Sequence, residues 1–300
     1  MRNRIVSANS CYYVQEGREP FPRGLTCVRG AGYLANTMSF AGPSTPTLVP
    51  AGVSEALVSR QVPVGTGIDP AGYFQTLSRT LAPMRWWPAR TPFEVIVGAI
   101  LTQNTSWSNV EKAIVNLRRS GLLTPRAIDR VSTARLERLI QPSGYFRQKT
   151  RKLKAFVAFL RNKHGGSLAR MFRTSTLRLR EQLLSVHGIG PETADSILLY
   201  AGGHASFVVD AYTHRILGRH GYPQRKPDYE AVQKLMESSL ARDAKIYNEF
   251  HAQLVHVGKH WCRTREPRCH ECPLLPHLPA DSPFRPGATP ANEAVEERRV

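Results

Sequence analysis

The sequence predicts an all-α protein, and three observations carry that expectation. Apolar residues recur at three- and four-residue spacing through most of residues 69–280, the period of an amphipathic helix. The segments open on capping pairs such as Asp69-Pro70 and Thr91-Pro92, and they close on or run into glycine or proline. Stretches of strict apolar–polar alternation, the mark of half-buried strands, are hard to find.

The elements follow in order. DPAGYFQTLSRTLA begins with an Asp cap and a proline at the first helical position, where the missing N–H costs nothing. TPFEVIVGAILTQ repeats that start but is apolar nearly all round, which predicts a helix buried at the centre. SWSNVEKAIVNLRRSG, TARLERLIQPSG, YFRQKTRKLKAFVAFLRNKHG and TLRLREQLLSVHG follow as helices. PDYEAVQKLMESSLA and DAKIYNEFHAQLVHVGKHWC give two more amphipathic helices.

Residues 1–68 differ in kind. They are rich in Gly, Pro, Ser and Thr and show neither period, AGPSTPTLVPAG being typical. Such a segment cannot bury enough apolar surface to offset chain entropy, which predicts a disordered extension. DSPFRPGATPANEAVEERRV predicts a disordered tail over residues 281–300 on the same grounds. One folded domain over residues 69–280 is expected between them, with a Cys-rich loop at 262–278.

The chain carries 41 Lys and Arg against 23 Asp and Glu, a formal net charge of +18. Residues 1–68 hold +3 of this and residues 281–300 hold −1, which leaves +16 on the helical region. A folded surface of that sign suits a polyanion, most often nucleic acid. A basic surface that serves solubility alone is the alternative. Three of the five cysteines fall within eleven residues, which suggests a metal site in a reducing compartment rather than a secreted disulfide framework. No apolar run is long enough to span a membrane, and VSANSCYYVQEGREP lacks a signal peptide's apolar core. A cytoplasmic, nucleoid-associated location without a membrane partner is the expectation.

Two stretches concentrate the chemistry. In SVHGIGPETADSILLYA a Gly-x-Gly turn joins two helices around Ile189. Gly188 and Gly190 can adopt backbone conformations closed to other residues, leaving the N–H groups of the second helix open to an anion. An ordinary αα-hairpin would show the same pattern. Further on, FVVDAYTHR places Asp210 behind Phe207, Val208 and Val209. A carboxylate against an apolar wall either caps the helix from Ala211 or does chemistry, and both readings stand. Glu192, in the first turn of the hairpin's second helix, is likewise either a charge favoured by the helix dipole or a site residue.

LLSVHGIGPETADSILLYAGGHASFVVDAYTHR resembles the helix-hairpin-helix and Gly/Pro-Asp signature of the endonuclease III superfamily of DNA glycosylases. FEVIVGAILTQNTSWSNVEKAI resembles that superfamily's early helix and its Gln-containing turn, and PSGYFRQKTRKL resembles the segment before the hairpin. The resemblance implies two helical lobes with a DNA-binding cleft, and a damaged base flipped out of double-stranded DNA by a monomeric enzyme. It places Asp210 on the family aspartate, which stabilises the oxocarbenium-like sugar cation as the glycosidic bond breaks. It places Glu192 where bifunctional members keep a lysine that forms a Schiff base. A carboxylate cannot form an imine, so the resemblance implies hydrolysis by water without strand cleavage. The look is closest to the 3-methyladenine DNA glycosylase branch, whose alkylated purines already carry positive charge and leave easily.

The resemblance further implies DNA contacts from Gly188, Ile189, Gly190 and Asn104, with Gln103 filling the gap left by the extruded base. Trp107 and Tyr145 are candidates for the base pocket, with Trp86 and Trp87 as further stacking surfaces. Lys149, Arg151, Lys152 and Lys154 form a charge run that reads as a solvated or DNA-backbone-binding face. A bifunctional enzyme would need an amine from another residue, for example that of Lys149. A non-catalytic hairpin module that only binds DNA is the rival from a different class.

CRTREPRCHECPLL has C-x6-C-x2-C spacing and resembles the iron–sulfur loop of endonuclease III, where four thiolates hold a [4Fe–4S] cluster. The family's fourth position falls on Leu278. The implied ligands are Cys262, Cys269 and Cys272, with the fourth absent or supplied by His277; iron–sulfur, zinc and no metal all remain open. Arg263, Arg265 and Arg268 suit phosphate contacts in each case.

Overall fold

A computed structural model describes residues 67–84, 87, 89–222 and 228–285. The expectations for residues 1–66, for the tail beyond 285 and for Trp86 lie outside these described residues. Asp69 accepts a hydrogen bond from Gly72 N at 2.9 Å and opens α1, Pro70–Thr80. Thr91 accepts from Glu94 N at 3.2 Å and opens α2, Pro92–Thr102. Both caps satisfy N–H groups that the first helical turn leaves without partners. The chain continues through α3 (Trp107–Arg119), α4 (Pro125–Arg130), α5 (Thr133–Ile140), α6 (Phe146–His164), α7 (Leu168–Met171) and α8 (Thr176–Leu184). It then forms α9 (Pro191–Ser196), a π-helical turn (Ile197–Ala201), α10 (Ala211–Arg219), α11 (Tyr229–Ser239) and α12 (Ala244–His260). No β-strand occurs among the described residues, and the fold is all-α.

The buried side chains sort into two cores. The first gathers α2 to α9 around α2, whose residues from Phe93 to Thr102 are all buried, as its unbroken apolar sequence predicts. The second joins α1 to α10, α11 and α12, where Tyr73, Phe74 and Leu77 meet Ile216, Phe250 and Leu254. Tyr200, in the π-helical turn, packs against both. The described ends of the chain therefore build one core and its middle builds the other.

Two boundaries move. Ile68 is fully buried in the second core, so order begins before Asp69. Ser282 is buried and Arg285 Nε donates to Pro279 O at 2.9 Å, so the packed chain continues into the stretch expected to be a disordered tail. The short helices α4 and α7 were not expected from the sequence. At six and four residues they are too short to show a period. Among the described residues no helix is long and apolar enough to cross a membrane.

Candidate active site

The hairpin turn uses its two glycines differently. Gly188 has φ +81°, a left-handed conformation that glycine adopts without strain. A Cβ there would also lie 2.4 Å from Lys152 Cγ, because the lysine's methylene chain crosses the turn. Gly190 has φ −93° and open space around it, so conformational freedom is not what this position needs. Ile189 between them is buried and anchors the turn in the first core.

A cleft of about 460 Å³ opens beside α9, with Gln103, Asn104, Lys152, Gly190, Glu192 and Tyr229 in its walls. Gln103 ties the turn after α2 to the hairpin. Its Nε2 donates to Gly188 O at 3.0 Å and to Thr193 Oγ1 at 2.9 Å, and its Oε1 accepts from Lys152 Nζ at 2.5 Å. Burial holds the Lys152 ammonium below the usual lysine range. Asn104 follows with φ +54°.

Of the two readings that the sequence left open for Asp210, the structure shows the helix cap and places the residue beside the cleft. It is the N-cap of α10, with Oδ1 accepting from Thr213 N at 2.8 Å and from Thr213 Oγ1 at 3.0 Å. It is also only 1% exposed, one residue behind Ala211, which lines the cleft. Burial alone would raise its pKa. The His251 imidazole and the two Thr213 donors outweigh that, and the carboxyl is held below the usual range. Asp210 is therefore a carboxylate at neutral pH, next to the cleft.

Asp195, which sequence reasoning missed, fixes the second helix of the hairpin from inside. Its carboxylate takes Arg180 Nε at 2.9 Å, Arg180 Nη2 at 3.1 Å, Ser206 Oγ at 2.7 Å and Tyr229 OH at 2.9 Å. A buried charge this well satisfied joins α8, α9, the stretch before α10 and α11 into one frame.

The charge run on α6 is not one face. Lys149 is 1% exposed, and its Nζ donates to Leu101 O at 2.8 Å and Ser143 O at 2.6 Å. The expectation that it meets DNA or offers a nucleophilic amine is corrected: the group is consumed inside the protein. Lys154 bonds Asp129 O and Val131 O, and of the run only Arg151 is exposed. Trp107 and Tyr145 are not brought together either. Trp107 is buried, donates to Glu111 Oε1 at 2.9 Å and packs edge-on against Trp87, whereas Tyr145 is 65% exposed at the start of α6. Trp87 instead stacks on Tyr200 at 5.1 Å beside a second cavity of about 220 Å³.

The model of the HhH-GPD superfamily base excision DNA repair proteins matches residues 97–242. A DNA repair glycosylase of Methanocaldococcus jannaschii, itself provisionally named, is 46% identical over 191 residues, 63% of this chain and 86% of the relative. Endonuclease III of Thermotoga maritima is 30% identical over 189 residues, 62% of this chain and 82% of the relative. The chain belongs to the HhH-GPD superfamily. A solved structure of this superfamily's fold, an endonuclease III–DNA complex, has a TM-score of 0.60 at 22% identity, covering 74% of this chain and 95% of that one. The Helicobacter pylori 3-methyladenine DNA glycosylase bound to 1,N6-ethenoadenine has a TM-score of 0.56 at 28% identity, covering 63% and 96%. The protein is accordingly a DNA glycosylase of base excision repair, and its hairpin and Asp210 lie within the matched residues.

The Cys-rich loop of this glycosylase does not fit a four-thiolate cluster. Cys262, Cys269 and Cys272 line a cavity of about 10 Å³ together with Leu275, Leu278 and Arg219. That is room for roughly one water. Leu278 fills the fourth position with an apolar side chain. His277 is not available as a substitute, because its Nε2 meets Thr76 Oγ1 at 2.7 Å and its ring packs on Tyr73. Arg219 Nη1 donates to Cys262 Sγ at 3.1 Å, and burial pushes the Cys272 thiol up to about 11. Among the described residues no group of three or more His, Cys, Asp or Glu side chains is arranged to hold a metal. Arg268 pairs with Glu271 within the loop, and Arg263 and Arg265 are exposed.

Proposed function

We propose that the chain is a monofunctional glycosylase that hydrolyses the N-glycosidic bond of an alkylated purine in double-stranded DNA. The observation that carries this reading is Glu192 in the wall of the cleft beside the hairpin. The superfamily's bifunctional members, as the resemblance has it, attack the sugar there with an amine, and a carboxylate cannot form that imine. Lys149, the other amine considered, is spent on two backbone carbonyls. Lys152, the amine that does line the cleft, donates to Gln103 Oε1, and water is left as the nucleophile.

In this reading Gly188 and Gly190 present backbone N–H groups to a phosphate, while the Ile189 N–H is spent on Val186 O at 3.0 Å, and Gln103 and Asn104 stand at the gap left by the extruded base. Asp210 stays ionised in a water-poor interior, where its field on a developing sugar cation is little screened. A purine alkylated on a ring nitrogen is already cationic, so Glu192 favours its binding and the bond needs less help to break. The aromatic wall formed by Trp87 and Tyr200 suits a flat cationic base. Likeness to the Helicobacter pylori 3-methyladenine enzyme supports the same substrate class. The protein works as a monomer.

The test is a panel of duplexes, each with one lesion, incubated with and without borohydride. Release of free alkylated purine, strand breaks only after alkali and no covalent adduct are expected. A borohydride-trapped protein–DNA adduct overturns the water mechanism, and release of oxidised pyrimidines alone overturns the substrate class.

A further inference from the structure

Asp210 has a second buried neighbour that the sequence reading did not connect with it. Its Oδ1 is occupied by Thr213, and its Oδ2 faces Nε2 of His251 on α12 at 3.6 Å, with both side chains fully buried. The other ring nitrogen of His251, Nδ1, lies 2.5 Å from the hydroxyl of Tyr200. Tyr200 is held in turn by its stack on Trp87 and by the π-helical turn that carries it. A chain of contacts thus runs from an aromatic cavity wall through a phenol and an imidazole to the carboxylate.

Between the two singly protonated tautomers of His251, hydrogen-bond chemistry selects one. If the phenol accepted from Nδ1–H, the bare Nε2 lone pair would face a carboxylate lone pair. If the phenol donates to Nδ1, Nε2 carries the proton and points it at Oδ2, and every group meets a partner of opposite polarity. Tyr200 faces His251 from the π-helical turn, and Asp210 faces it from α10. His214, one turn further along α10, lies near Asp210, and burial holds it below the usual histidine range. Phe207 covers an edge of the imidazole ring.

We propose that His251 is the positioning residue for Asp210. Its imidazole, anchored by Tyr200, donates Nε2–H to Oδ2, fixes the plane of the carboxylate and keeps it ionised. This rests on the reading that Asp210 stabilises the sugar cation. The geometry demands a residue long enough to reach from α12 and able to donate at its tip. Glutamine meets both conditions, and phenylalanine fills the space without donating.

The experiment is single-turnover base release from an alkylated duplex at saturating enzyme, with DNA affinity measured separately, across pH. Wild type, His251→Phe, His251→Gln, Tyr200→Phe and Asp210→Asn are compared. His251→Phe should lower the saturating rate about tenfold or more, the size of one lost hydrogen bond to a charged group. DNA affinity should be unchanged, and the acid limb of the pH profile should move to higher pH because the carboxylate has lost a donor. His251→Gln should recover most of the rate and the limb, and Tyr200→Phe should fall between. A merely structural histidine would not move the limb. A His251→Phe protein with the wild-type rate and limb overturns the proposal, as does a His251→Gln protein no better than His251→Phe. If Asp210→Asn is as fast as wild type, the reading of Asp210 itself fails. If Asp210→Asn is slow while both His251 variants and Tyr200→Phe match wild type, only the positioning role fails.

Discussion

Replacing Lys149 by methionine removes an ammonium that holds two ends of chain together inside the first core. One acceptor, Leu101 O, is among the last carbonyls of α2, which have no partner within the helix; the other, Ser143 O, ends the short 3₁₀ turn Gln141–Ser143 before α6. Methionine refills most of the volume but donates nothing, so both buried oxygens are left without this donor. Each unsatisfied acceptor costs roughly 1–3 kcal/mol, offset in part because an ammonium no longer has to be buried. The net expectation is a loss of about 2–4 kcal/mol, or very roughly 4–16 °C in Tm for a domain of this size. Urea unfolding followed by circular dichroism measures it. The pH dependence gives a second readout. Burial and the neighbouring Lys152 lower the Lys149 pKa from 10.5 to about 8. Between those values the unfolded chain binds more protons than the folded one, so stability relative to Lys149→Met should rise from about pH 8 to about pH 10.5. Unchanged stability in the variant would refute the interior role. A folded, fully stable variant that had lost DNA affinity would restore the surface role.

Three further outcomes follow from the same geometry. Glu192→Lys puts an amine into the cleft wall, and borohydride should then trap a covalent DNA adduct that wild type does not form; no adduct in the variant would mean that position 192 does not face the sugar. Gly258→Ala should destabilise by about 1–3 kcal/mol, as overpacking does. Its Cβ would lie 2.2 Å from Tyr212 Cδ1, where α12 meets α10, so a wild-type melting temperature would show that the two helices can part freely. The purified protein should contain no stoichiometric iron and show no iron–sulfur absorbance, and a full complement of iron would show that the loop completes its ligands in another way.

Much of the fold is written in local signals. Asp69-Pro70 and Thr91-Pro92 cap the helices they announce, and the unbroken apolar run of α2 marks the central helix. The same Thr-Pro signal at Thr124-Pro125 opens α4, but six residues cannot show a period and the element was missed. Lys149 was misread as part of a charged face. On α6 it lies four residues before Leu153 and seven before Phe156, on the buried stripe, so its helical position already carried the answer that its charge concealed. His251 belongs to the buried stripe of α12 in the same way, with Tyr247, Phe250 and Leu254. What no spacing could supply is the pairing across the chain. Asp195 with Arg180 and Tyr229, Asp210 with His251, and Lys152 with Gln103 are contacts between segments that only the packed fold brings together.

The most direct test of the account is the single-turnover rate of base release by Asp210→Asn on a duplex carrying one alkylated purine. Asparagine can still cap α10 through its side-chain oxygen, so the fold is expected to survive while the negative charge is lost. The account predicts a rate at least about a hundredfold below wild type with DNA affinity retained. A variant that releases the base as fast as wild type would contradict it.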